Sequence, residues 1–167
     1  PKLSKSLKPP PTATIQSKID RVHSTFASLG SRQLKVLPPQ AVQPSLLVVD
    51  LENNLLSSSA LQNLPHTLTT INLVNNPLLD MRLPLLKNLR SLSLDDCKLT
   101  SFKGFPMFPQ LRFLSLSNNK LTNFKYMPPL LKLEYFDISN NSFDFSPKLS
   151  IAAIGSISMT TFNGVTL

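Results

Sequence analysis

His23, His66 and the single cysteine, Cys97, are the side chains of this 167-residue chain best suited to catalysis, beside nine carboxylates and seventeen lysines and arginines. Nucleophilic or general-base chemistry needs a histidine close to a nucleophile, and metal chemistry needs ligands at short fixed spacings. Neither histidine has such a neighbour in the sequence. The four glycines form no phosphate-cradling arrangement. The expectation is a non-enzyme with no metal and no cofactor. The chemistry that remains is that of charge and contact, and the charge is uneven. Residues 1–35 carry seven basic and one acidic side chain, net +6, while the rest carry ten basic and eight acidic, net +2.

The elements that must position these charges recur. Leu111 to Leu121 has leucine at positions 1, 4, 6 and 11 and asparagine at position 9. Further copies run Leu46/Val49/Leu51/Asn54/Leu56, Leu68/Ile71/Leu73/Asn76/Leu78, Leu89/Leu92/Leu94/Cys97/Leu99 and Leu133/Phe136/Ile138/Asn141/Phe143. They start at 46, 68, 89, 111 and 133, in steps of 22, 21, 22 and 22. Alternation within each copy is that of a short strand with one apolar side, and that side is covered only by a copy on each flank. This resembles the leucine-rich repeat, and implies an α/β-repeat solenoid with one curved parallel sheet. Asn54, Asn76, Cys97, Asn119 and Asn141 then form a structural ladder that ties adjacent loops, with Cys97 a buried thiol in an asparagine's place. Pro65, Pro84, Pro106, Pro109, Pro128 and Pro129 lie between the copies. Proline lacks the donor a helix interior needs, so the convex side should be extended or 3₁₀ rather than α-helical.

Three parts follow along the chain. Residues 1–13 are a basic, proline-rich, extended arm, too polar to bury itself. Residues 14–30 have Ile15, Ile19, Val22, Phe26 and Leu29 at helical spacing and Gly30 as a stop, which predicts an amphipathic helix. It would cap the open edge of the first repeat or dock on a partner. Residues 31–167 are the repeat domain: a half-repeat around Leu34 and Leu37, five repeats, and a worn closing strand where Ile154, Ile157 and Met159 fall in phase. No apolar run reaches membrane-spanning length. A single cysteine rules out an internal disulfide and favours the reducing cytosol or nucleus.

Positions 3, 5, 7 and 8 of the five repeats face outward on the concave surface. Of these twenty side chains five are acidic, Asp50, Glu52, Asp95, Asp96 and Asp137, and none is basic. Phe113 and Tyr135 are neighbours at position 3 and are the candidate anchors. A basic peptide or helix can lie along such a face, whereas a polyanion is repelled; the other reading is a polar face that keeps the sheet in solution. Basic residues align elsewhere, Arg82, Lys103 and Lys125 at position 15. With Lys2, Lys5 and Lys8 of the arm they suit an acidic surface, or else are solvated loop charges. Aromatic residues on an acidic face argue against direct base-specific recognition of nucleic acid.

The 22-residue length, Phe102 and Phe124 in matching places, then Phe105 and Met127, are similar to the short intracellular class of leucine-rich repeats, which includes phosphatase-regulator, axonemal dynein and spliceosomal members. Residues 154–165 resemble that class's terminal cap, with Phe162-Asn163-Gly164 where Leu-Asp-Gly is usual. The resemblance implies a protein-binding scaffold in a large cytoplasmic assembly, with tubulin or axonemal partners as the leading expectation. A nuclear RNA-particle component that holds a protein partner and an enzyme regulator remain as alternatives.

Overall fold

The computed structural model describes residues 25–143 and, as backbone, 161–162 and 165–166. Its strands are β1 (Phe26–Ser28), β2 (Val48–Asp50), β3 (Thr70–Asn72), β4 (Ser91–Ser93), β5 (Phe113–Ser115), β6 (Tyr135–Asp137), β7 (Thr161–Phe162) and β8 (Val165–Thr166). They form one sheet in sequence order. β1 to β7 run parallel and β8 turns back antiparallel on β7. From β2 to β6 the register matches like positions, so Val48, Thr70, Ser91, Phe113 and Tyr135 form one column.

The alternation inferred from the sequence is the observed one. Positions 4 and 6 point inward and are buried, from Val49 and Leu51 to Phe136 and Ile138, and positions 1 and 11 close the core above and below them. Phenylalanines fill the space beneath the convex loops. Phe102 stacks on Phe124 at 6.0 Å and Phe124 on Phe143 at 4.7 Å, while Phe105 meets Phe102 and Phe108 edge-on. Among the described residues the connections contain no α-helix. They hold two 3₁₀ turns, Pro39–Val42 and Ser58–Leu61, as the prolines dictate.

Two sequence expectations are corrected. The helix placed over residues 14–30 does not extend through 26–28, which form β1 and pair in parallel with β2; residues 14–24 lie outside the described residues, as does the arm. The physical reason lies in the repeat phase. Ala27 and Leu29 sit 22 residues before Val49 and Leu51 and occupy the same inward positions, with Leu29 buried. Gly30 falls opposite Glu52, where an added Cβ would come within 3.0 Å of the glutamate Cγ. An extended backbone laid against β2 satisfies the exposed edge of that strand, which a helix cannot do. The half-repeat around Leu34 thus follows a strand that stands one repeat before β2.

The sheet also closes out of phase. Tyr135 pairs with Thr161, an offset of 26 rather than the expected 21. Residues 154–160, where the phase places the closing strand, lie outside the described residues. β7 and β8 are separated by Asn163-Gly164, the dipeptide favoured in two-residue hairpin turns.

Candidate binding face

Position 9 builds the scaffold of the face. In Asn119 the Nδ2 donates to the carbonyls of Leu94 (2.8 Å) and Leu116 (2.9 Å), while Oδ1 accepts from the amides of Cys97 (3.1 Å) and Leu99 (3.0 Å). Asn54, Asn76 and Asn141 repeat the pattern, each accepting from the preceding repeat's loop. Cys97 reproduces half of it. Its Sγ–H donates to Leu73 O at 3.2 Å and the sulfur accepts from the Asn76 backbone amide, but a thiol is a weak acceptor, and the Leu78 amide turns instead to Asn76 O at 2.8 Å.

Burial pushes the Cys97 thiol up to about 12 from an ordinary 9.0, with the Asp95 and Asp96 charges adding to the effect. Two results should follow. Thiol reagents at pH 8 should modify Cys97 only after the protein is unfolded. Between pH 9 and 12 the unfolded thiol loses its proton while the folded one keeps it, so this contribution to stability falls as pH rises through that window. The difference between wild type and Cys97→Ala in denaturation midpoints across that range measures it; a constant difference would contradict the assignment.

Position 8 needs a left-handed backbone. Ser31, Asn53, Asn75, Asp96, Asn118 and Asn140 all have φ between 53° and 56°, which asparagine and aspartate tolerate better than most residues. Three of the asparagines also link across strands, Asn75 to Asn53 at 2.9 Å, Asn118 to Asp96 at 3.4 Å and Asn140 to Asn118 at 2.9 Å. This second ladder explains position 8 without any ligand.

The acidic residues predicted on the face are there, and most also have internal partners. Asn72 Nδ2 bridges Asp50 at 3.0 Å and Glu52 at 3.1 Å. Asp95 Oδ1 accepts from the Ser115 hydroxyl (2.6 Å) and the Ser117 amide (2.7 Å), and Asp137 Oδ1 accepts from the Ser139 amide (2.8 Å). Asn72, Ser115 and Ser117 were not singled out in the sequence; Asn72, whose Oδ1 accepts the Val74 amide two residues on at 3.2 Å, makes a recognisable Asx arrangement, whereas the two serines reach Asp95 of the preceding repeat. Phe113 and Tyr135 lie half-buried with their rings stacked, centroids 4.4 Å apart and planes 7° from parallel. Burial, and then the charges of Asp137 and Asp95, raise the Tyr135 hydroxyl above its ordinary value of 10.0. The structure thus brings the aromatic pair together with Asp95 and Asp137. Asp50 and Glu52 stand on β2 and its following loop, three and four strands away from the rings.

The members of the basic column differ in their surroundings. Arg82 is bound to Asp80, with Nη2 at 2.7 Å and Nε at 3.0 Å from the same oxygen, and that hydrogen bond holds the Asp80 carboxyl at about 2. Lys103 is exposed, and Lys125 lies over the Tyr126 ring at 5.0 Å. On the rim Arg112 pairs with Glu134. Lys2, Lys5 and Lys8 lie outside the described residues. Among the described residues no group of side chains has metal-ligand geometry, and no helix is long and apolar enough to cross a membrane.

The stacked single-strand turns, the asparagine ladder and the open concave face define a repeat solenoid. Residues 87–130 match the family model described as Leucine Rich repeats (2 copies), and residues 132–153 the one described as Leucine Rich Repeat. The chain carries leucine-rich repeats, modules that generally mediate protein–protein interaction and are typically non-catalytic. No curated protein matches the chain.

Proposed function

We propose that this chain is a non-catalytic scaffold whose concave face receives a basic peptide or helix of a partner protein. The observation that carries the reading is the sign of that face: five carboxylates and no basic side chain on the outward positions of the five repeats, two of them, Asp95 and Asp137, beside a stacked aromatic pair. Carboxylates already held by serine, asparagine and backbone donors are fixed in place. A cation that meets them needs little reorganisation of the face, which favours binding.

The test is binding of a lysine- and arginine-rich peptide, followed by fluorescence anisotropy at low salt. Phe113→Ala combined with Tyr135→Ala should weaken it at least tenfold, the scale of a central aromatic anchor. Equal affinity in the double variant, with its circular dichroism unchanged, would overturn the concave site.

The repeat length and phenylalanine pattern similar to the short intracellular class support a place in a large cytoplasmic assembly. Tubulin-based structures are the first choice, because the arm residues Lys2, Lys5 and Lys8, with Lys103 and Lys125, suit an acidic protein surface. Cross-linking from these lysines in native extract separates this assembly from a nuclear RNA particle or an enzyme–regulator complex.

A further inference from the structure

The in-register column at position 3 carries a ladder of rings that stops short. Phe113 and Tyr135 stack because parallel strands place like positions about 4.8 Å apart, close to the 4.4 Å between their centroids. The next rung, paired with Phe113 in the sheet, is Ser91. Its small side chain supplies no ring to stack on the second face of the half-buried Phe113, and Ser93 stands two residues on along the same strand. One rung of such a ladder has the thickness of one flat group. The Asp95 carboxylate reaches from the β4 repeat onto Ser115, two residues beyond Phe113. Its Oδ1 takes both the Ser115 and Ser117 donors.

We propose that this missing rung is a slot for one arginine side chain of the docked segment, its guanidinium lying flat on the open face of Phe113 above Ser91. The proposal rests on the concave-face reading above and adds a choice of side chain. A guanidinium is planar, weakly hydrated and stacks on aromatic faces, and its remaining N–H groups can point toward the carboxylates. A lysine ammonium satisfies the charge but cannot complete the stack. A nucleobase is also flat, but the phosphates that accompany it meet an acidic surface.

The experiment uses the whole chain and two peptides of one sequence, with arginine at every basic position in one and lysine in the other. Wild type should prefer the arginine peptide on the order of fivefold. Ser91→Phe supplies a third ring, fills the slot and leaves the charge of the face intact, so the ratio should fall toward one while the lysine peptide still binds. Phe113→Leu should lower the ratio in the same way, and circular dichroism reports the fold of both variants. Equal affinities in wild type, or a preference that survives Ser91→Phe and Phe113→Leu, would overturn the slot and leave the concave site standing. Failure of both peptides to bind wild type would overturn the slot and the concave site together.

Discussion

Replacing Phe102 by alanine should destabilise the protein by about 3–5 kcal/mol, the range for removal of a fully enclosed aromatic side chain. Phe102 has no exposed surface and sits where two directions of packing meet. It stacks on Phe124 of the next repeat at 6.0 Å and takes Phe105 of its own loop edge-on at 6.3 Å. The convex loops here are extended or 3₁₀, so no helix is available to slide inward and close the space, and the cavity should persist. Urea denaturation followed by circular dichroism gives the loss directly. A value below about 1 kcal/mol would mean that the loops collapse onto the gap, contrary to the rigid packing argued here.

Asn119→Ala should cost about 3–4 kcal/mol by a different route. The side chain is buried and serves two amides and a carbonyl of the preceding turn and a carbonyl of its own. Each buried group left without a partner costs about 1–3 kcal/mol, reduced where water enters. Asn119→Cys should fall between alanine and wild type, because a thiol can donate to Leu94 O as Cys97 does to Leu73 O but is a weak acceptor for the Cys97 amide and leaves the Leu99 amide unheld, as Cys97 leaves that of Leu78. Equal midpoints for the alanine and cysteine variants would show that the donor half of the ladder contributes nothing.

Most of this architecture is legible in the sequence because a repeat states its rules five times. The inward leucines, the ladder at position 9 and the non-helical convex side all follow from the 22-residue period and the prolines. The period also held the information on β1, since Ala27 and Leu29 precede Val49 and Leu51 by one repeat. It was masked because Phe26 and Leu29 also continue a helical spacing from Ile15. Two periods fitted the same residues, and the open edge of β2 decides for the strand. The closing hairpin was harder, because its offset of 26 follows no repeat rule. At the face, the aromatic pair and the carboxylates were legible from position alone. Their internal partners were less so, since Ser115 meets Asp95 only because the side chain leans across the strands; away from the face, the pairing of Arg82 with Asp80 two residues earlier was likewise not read. Periodicity assigns a face to a side chain but leaves its rotamer open.

The asparagine ladder also gives the molecule a direction. Each position-9 asparagine fastens the loop of the turn before it, as Asn119 does for Cys97 and Leu99 and Asn141 for Leu121. The turns therefore overlap like shingles, each pinned by its successor and most loosely where Cys97 stands in the asparagine's place. Stripping a turn from the C-terminal side unpins the one beneath it. Lifting one from the N-terminal side leaves the neighbouring asparagine unsatisfied but its own loop still secured. Resistance to force, and the order in which turns peel away, should depend on which end of the chain is held.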